Sequence, residues 1–281
     1  MIKRLNIISF HKIFTAFLRQ GSLFIFCVIL SFLLHGCLSS KKVTGMVKAF
    51  DKSVVKEQFT SLELPAGIRF ILLNPLPDSS SVRKSYVMVL PLIVINYFQT
   101  NYKLTLGQSS LENPTLELFK TELINNLNPL QWELLYQNGY AININVHEFT
   151  STGVFASGFW AAFAGAYETG AGTGGEISHN MRIKSEVYVS LDLNCNDNTL
   201  DHRDFMFLVK ANEFGKLKIV NTDLRSGRAV TMPTSLPNVV PGHSFELLIP
   251  STKEVYNICI KMVSREIVNV VENYVLQYCS R

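Results

Sequence analysis

Chemistry needs nucleophiles, bases or metal ligands at workable spacing, and this sequence offers few. It contains no Gly-x-Ser-x-Gly elbow, no His-Glu-x-x-His pair and no Cys-x-x-Cys. His147, His179, His202 and His243 stand apart in the chain. His202 lies in Asp201-His202-Arg203-Asp204, whose residue types suit a metal, but a solvated turn before a strand accounts for it better. His147 with Glu148 reads as a polar sheet edge at a strand end. Cys195 sits in an Asn-rich turn with no neighbouring base or cation to activate it. The expectation is a protein that is not an enzyme, with no cofactor and no metal.

The remaining cysteines divide by place. Cys27 and Cys37 fall near the N-terminus; Cys195, Cys259 and Cys279 fall in the body. Cys259 and Cys279 share one predicted helix, where twenty residues separate them by about 30 Å. A disulfide needs Cα atoms within about 7 Å, so those two cannot pair, whereas Cys195 has either within reach. Buried small apolar side chains are the simpler reading of all three.

The first forty residues read as an address. Lys3, Arg4, Lys12 and Arg19 precede Leu23 to Leu34 (LFIFCVILSFLL), an apolar run interrupted only by Ser31. A dozen helical residues rise about 18 Å, too little for a hydrocarbon core of about 30 Å. The basic start and short apolar core match a signal peptide, with an N-terminal membrane anchor as the alternative. Leu34-His35-Gly36-Cys37 resembles the lipobox of bacterial lipoproteins, with His35 unusual at the loose position. The resemblance implies cleavage after Gly36 and lipid on Cys37. Leu38 replaces the aspartate that retains enterobacterial lipoproteins in the inner membrane, which implies the outer membrane. Ser39, Ser40, Lys41 and Lys42 read as a short polar tether without an acidic export cluster, which points to the periplasmic face.

Without residues 1–36 the chain is near neutral, because four of its positive charges lie in that segment and the whole carries +4. No basic patch calls for nucleic acid. At 47% hydrophobic and 17% charged residues it is globular.

The body is expected to be α+β: an antiparallel or mixed sheet with two main helices on one face, forming a single domain over 68–281 after a tether and N-terminal segment at 37–67. A strand is predicted at Ile68 to Leu73. Tyr86 to Phe98 reads as a buried strand broken at Pro91. Asn113-Pro114 starts a helix, with Asn113 as its cap and Leu116, Phe119, Leu123 and Leu127 at helical spacing. Asn138-Gly139 turns into a strand over Tyr140 to Phe149. Residues 181 to 193 alternate cleanly and pair with Asp204 to Ala211. A capping box at Ser251-Thr252-Lys253-Glu254 opens a terminal helix to about Tyr278.

One stretch resists this scheme. Residues 151 to 175 (STGVFASGFWAAFAGAYETGAGTGG) are rich in Gly, Ala and aromatics, with Glu168 as their only charge. They make up most of an apolar Gly/aromatic insertion expected at 151–180, with three alternatives open. One is a small-residue helix over about Phe155 to Tyr167 folded on the core. Another is a flap or hairpin that meets lipid or a partner through Phe155, Phe159, Trp160, Phe163 and Tyr167. The third is a nucleotide loop at Gly170 to Gly175, disfavoured because no strand-to-helix context follows.

The order of elements resembles, as pattern only, the small α/β lipoprotein modules of Gram-negative envelopes, including auxiliary lipoproteins of ABC-type lipid transporters. It is also similar to the core of curli secretion-channel lipoproteins, where strands flanking a glycine-rich segment extend as membrane hairpins. FASGFWAAFAGAY departs from that pattern, because spanning strands alternate in polarity. The first resemblance says little about activity; the lipobox, the apolar 151–175 stretch and the missing catalytic set lead to the expectation of a non-enzymatic, lipid-anchored periplasmic module docked on an envelope complex, with an oligomeric secretion or pore-forming lipoprotein as the alternative. A hydrolase with an unrecognised site is a third alternative.

Overall fold

The structure is a computed structural model. It describes residues 40–56, 63–89, 95–162, 176–196, 198–212, 216–232 and 244–279, with backbone alone at 88–89, 95–98, 159–162 and 176–179. The chain divides into two compact units, Met1–Val43 and Thr44–Arg281. Everything below on packing concerns the second.

The protein is α+β. One eight-stranded sheet carries the molecule. Its strands are β1 (Ile68–Leu72), β2 (Ser81–Val89), β3 (Ile95–Thr105), β4 (Tyr140–Ala162), β5 (Glu176–Cys195), β6 (Asn198–Ala211), β7 (Leu217–Asp223) and β8 (Ala229–Met232). The helices are α1 (Ser40–Ser53), α2 (Thr115–Asn126), α3 (Pro129–Gln137) and α4 (Leu248–Tyr278). Strands β2 to β8 run in sequence order, each antiparallel to the next. β1 is the exception and pairs in parallel with the first part of β4, Ile68 opposite Ile142 and Leu72 opposite Val146. The sheet is therefore mixed.

β4 organises the sheet. One of its edges pairs with β5 along almost its whole length. The other is shared: residues 142–146 take β1, and residues 152–162 take β3. Alternation along β4 buries Ile142, Ile144 and Val146, and after a bulge at His147 it buries Phe149, Ser151 and Phe155. The bulge adds one residue and so shifts the buried set from even to odd numbers. On β5, Met181, Ile183, Val187, Val189, Leu191 and Leu193 are buried as their alternation predicts.

Helices α2, α3 and α4 lie on that buried face. Phe119 of α2 stands between Phe70 and Phe149, with ring centroids at 5.4 and 5.9 Å. α4 lies along β4. Near its start Thr252 and Leu248 close over Gly153, Tyr256 stacks on Phe149 at 4.9 Å, and at its end Tyr278 meets Tyr140 at 5.9 Å. Thirty-one residues of helix rise about 46 Å, which matches that run of strand. α3 is fixed by Trp132, whose indole N–H donates to Ala66 O at 2.9 Å.

Several local expectations are corrected. Asn113 does not cap α2. Pro114 holds that position without a side-chain bond, and Gln108 Oε1 accepts from Thr115 N at 3.2 Å instead. α4 begins at Leu248, ahead of the predicted capping box. Pro250 is tolerated there because first-turn N–H groups have no intrahelical acceptor. Ser40 to Lys42 begin α1 rather than a polar tether. The stretch read as one buried strand over Tyr86 to Phe98 is instead the facing ends of β2 and β3, and Tyr86 and Val87 are exposed. Cys195 closes β5, and β6 begins at Asn198, earlier than Asp204.

Candidate functional site: a paired hairpin end

The stretch expected to be an insertion is an extension of the sheet. β4 runs without a break through Phe155, Phe159 and Trp160 to Ala162, and β5 returns from Glu176. The helix over Phe155 to Tyr167 is thus overturned as far as Ala162. Gly and Ala carry no alternation of their own, and pairing on both edges fixes the extended backbone: Ser157 takes Thr100 on one side and His179 on the other. Phe163, Tyr167 and the Gly170 to Gly175 loop lie outside the described residues, as do Gly36, Cys37 and His243.

A second hairpin lies beside the first. β2 and β3 pair from Ser81 opposite Thr105 to Val89 opposite Tyr97, and β3 pairs with β4 up to Ile95 opposite Ala162. Both hairpins therefore point the same way. Register sets their residues in cross-strand rows. One row is Met88, Phe98, Phe159 and Ile177, all apolar; the row beside it is Val87, Gln99, Gly158 and Ser178. The next holds Val89, Tyr97, Trp160 and Glu176. Successive rows of a pleated sheet belong to opposite faces. Residues 85–102 contain no Asp, Glu, Lys or Arg, and neither do residues 149–167.

The base of this end is anchored in the core. Tyr102 of β3 and Phe155 of β4 meet Phe245 with ring centroids at 5.5 and 6.2 Å. Lys84 Nζ stands 4.9 Å from the Tyr86 ring centroid and 5.4 Å from that of Tyr102. It is the last charge of β2 before the charge-free stretch. At the ends of β2 and β3 nearest the core, Asp51 of α1 accepts from Ser109 Oγ at 2.6 Å and from Ser110 Oγ. Lys56 Nζ donates to Gln108 O at 2.9 Å and Leu111 O at 2.6 Å.

A polar network occupies the sheet face opposite the helices. His147 is not at a strand end but at the bulge inside β4, where its ring stacks on Tyr188 at 4.4 Å and Nε2 lies 2.7 Å from Ser190 Oγ. His202 is in β6 rather than in a turn, and sits between two carboxylates, with Nδ1 2.5 Å from Asp192 Oδ1 and Nε2 2.5 Å from Asp204 Oδ1. The hydrogen bond to Asp192 and the charge of Asp204 hold the imidazolium together above its usual pKa. Burial, with Asp204 adding, raises the Tyr188 phenol. A Ser–His pair invites a hydrolase reading, but Ser190 is 4% exposed and both carboxylates of the network go to His202. Among the described residues, no group of three or more His, Cys, Asp or Glu is arranged to hold a metal ion.

Sequence reasoning marked Phe155, Phe159 and Trp160 and missed the β2–β3 hairpin beside them. The charge-free run over 85–102 was the available signal. Among the described residues, no helix is long and apolar enough to cross a membrane, which leaves the strands unaddressed. Compared with known proteins, the chain matches no family model, no curated protein and no solved structure.

Proposed function

We propose that the chain is a non-enzymatic, lipid-anchored envelope protein, held at the periplasmic side of an outer membrane through Cys37. In this reading it self-associates through its paired hairpin end and inserts that end into a membrane. The observation that carries it is the side-by-side placement of two hairpins in which residues 85–102 and 149–167 carry no charge, with Glu176 the one charge among the described residues at the tip end of β5. Charge-free strands cross an apolar layer at little cost, provided their backbone groups are paired.

Topology supports self-association. Three antiparallel pairings separate β2 from β5, so these two strands run in opposite directions. β2 is the last strand of the sheet on its side, and β5 extends past its pairing with β6, which reaches Ile183 opposite Ala211. Among the described residues, β2 and the 176–182 part of β5 are both open edges. β5 of one copy meeting β2 of the next continues the antiparallel order. Repetition of that contact closes a ring and removes both edges.

A second reading is an accessory module docked on an envelope complex, such as one that handles lipid. It is favoured by the sheet face bearing His147, Tyr188 and Ser190, which lies opposite the helices.

The test uses full-length lipidated protein purified in detergent, sized by native mass spectrometry and assayed for dye release from phospholipid vesicles. The proposal expects a ring of defined copy number and dye release. Both should be lost in Phe159→Asp and Val87→Glu while circular dichroism stays unchanged. A folded monomer that inserts into no vesicle overturns it and leaves the docked module.

A further inference from the structure

We propose that Cys195 and Cys279 form a disulfide that fastens the end of α4 to the end of β5. The sequence shows three cysteines in the body of the chain, and all three are free thiols in the structure. Cys259 is buried in the middle of α4, pressed on the sheet with no exposed surface. The other two are half-buried and lie at one end of the fold.

Three contacts place them together. Cys195 is opposite Tyr140 on β4 and opposite Asn198 on β6. Tyr140 touches Tyr278, the residue before Cys279, with ring centroids at 5.9 Å. One turn earlier on α4, burial and then the nearby charge of Asp201 on β6 raise the Tyr274 phenol. The last turn of α4 therefore reaches both strands that flank β5, and Cys195 is the residue of β5 between them. Burial raises the Cys279 thiol, and the side chain of Asn138, two residues before Tyr140, is near enough to offset part of that rise. Cys279 is tied to the helix by its own N–H, which donates to Val275 O at 2.9 Å. Directly opposed residues of an antiparallel pair have Cα atoms about 4.5–5.5 Å apart, so Cys195 and the Asn138–Tyr140 turn share one small neighbourhood. Helix ends fray, so Cys279 at the end of α4 is the mobile partner, and the bond requires its Cα within about 7 Å of that of Cys195.

The chemistry is thiol–disulfide exchange with a disulfide-bearing oxidant, either an oxidised dithiol protein or oxidised glutathione. One cysteine loses its proton and attacks the oxidant's disulfide, giving a mixed disulfide and expelling one thiolate. The second cysteine loses its proton and attacks the first one's sulfur, expelling the other thiolate. Two protons leave the protein, its two sulfurs are oxidised by two electrons, and the oxidant's disulfide becomes two thiols. Cys259 takes no part, because burial raises its thiol far above the usual value and excludes the oxidant.

The test incubates the folded full chain with oxidised glutathione, blocks free thiols with iodoacetamide, digests it and maps peptides by mass spectrometry. The expected result is one intramolecular cross-linked peptide pair joining Cys195 and Cys279. Dithiothreitol should abolish it, and it should be absent from Cys195→Ser and from Cys279→Ser. Carbamidomethylation of both residues after oxidant treatment, or only Cys195–Cys195 and Cys279–Cys279 links between copies, overturns the proposal.

Discussion

The Tyr256 hydroxyl donates to Thr115 Oγ1 at 2.8 Å, so the first part of α4 is pinned to the first residue of α2. Both residues are fully buried, and Thr115 Oγ1 also accepts from Gln108 Nε2 at 2.9 Å. Burial drives the Tyr256 phenol well above its usual range, which keeps it a donor at any ordinary pH. Tyr256→Phe keeps the stack on Phe149 and removes only the donor. Urea denaturation should show a loss of about 1–2 kcal/mol. Tyr256→Ala removes the ring as well and should cost about 3–5 kcal/mol.

Gly153 marks a close approach of α4 to β4. A Cβ there would stand 2.4 Å from Thr252 Oγ1 and 2.8 Å from Leu248 Cδ1. Thr252 is itself held by a bond from its hydroxyl to Leu248 O at 2.6 Å, so it has little room to yield. Gly153→Ala should lower stability by about 1–3 kcal/mol through overpacking, read by thermal or chemical unfolding. Gly45→Ala in α1 meets nothing within 4 Å and should be neutral or stabilising by up to about 1 kcal/mol.

The His202 pKa is raised by Asp192 and Asp204 in the folded state. The stability this contributes is fully present below the unfolded value of about 6.5 and is lost as pH rises through the higher folded value. NMR titration should place His202 above 6.5. The stability difference between wild type and His202→Gln should be larger at pH 6 than at pH 9. A His202 midpoint at or below 6.5 would refute the carboxylate clamp.

Asp51 and Lys56 fix the turn that carries Gly107 to Leu111. Gly107 sits so close to the chain at Ser79 that a Cβ would lie 2.2 Å from its carbonyl carbon. Ser80 Oγ accepts from Gly107 N at 2.9 Å and lies 2.6 Å from Ser110 Oγ, which completes the node. Asp51→Ala leaves the Ser109 and Ser110 hydroxyls without their acceptor. It should cost about 1–3 kcal/mol and speed hydrogen exchange of the amides at Ser110 and Leu111.

Legibility in the sequence followed periodicity. β5 was readable because Met181 to Leu193 alternate on a half-buried strand, and α2 because Phe119 and Leu123 recur at helical spacing. β4 past Thr150 was not, because Gly, Ala and scattered aromatics carry no period, and pairing with β3 and β5 supplies what the residues lack. The parallel pairing of Ile68 with Ile142 joins segments far apart in sequence, with no local trace. The His147–Ser190 and His202–Asp192 contacts arise from strand register, so residues separate in the sequence meet in pairs on the sheet. The break expected at Pro91 lies outside the described residues; β2 ends at Val89 and β3 begins at Ile95.

The length of β4 has a mechanical consequence. Its 23 residues make one uninterrupted backbone from the Tyr278 contact to the hairpin end. A pull on that end along the strand axis loads its ladder to β5, and those to β1 and β3, in shear, with many hydrogen bonds sharing the force together. The core then acts as a footing. The hairpin end cannot be drawn outward by even one residue without turning Ile142, Ile144 and Val146 to the opposite face, so tension there is borne by the whole sheet at once.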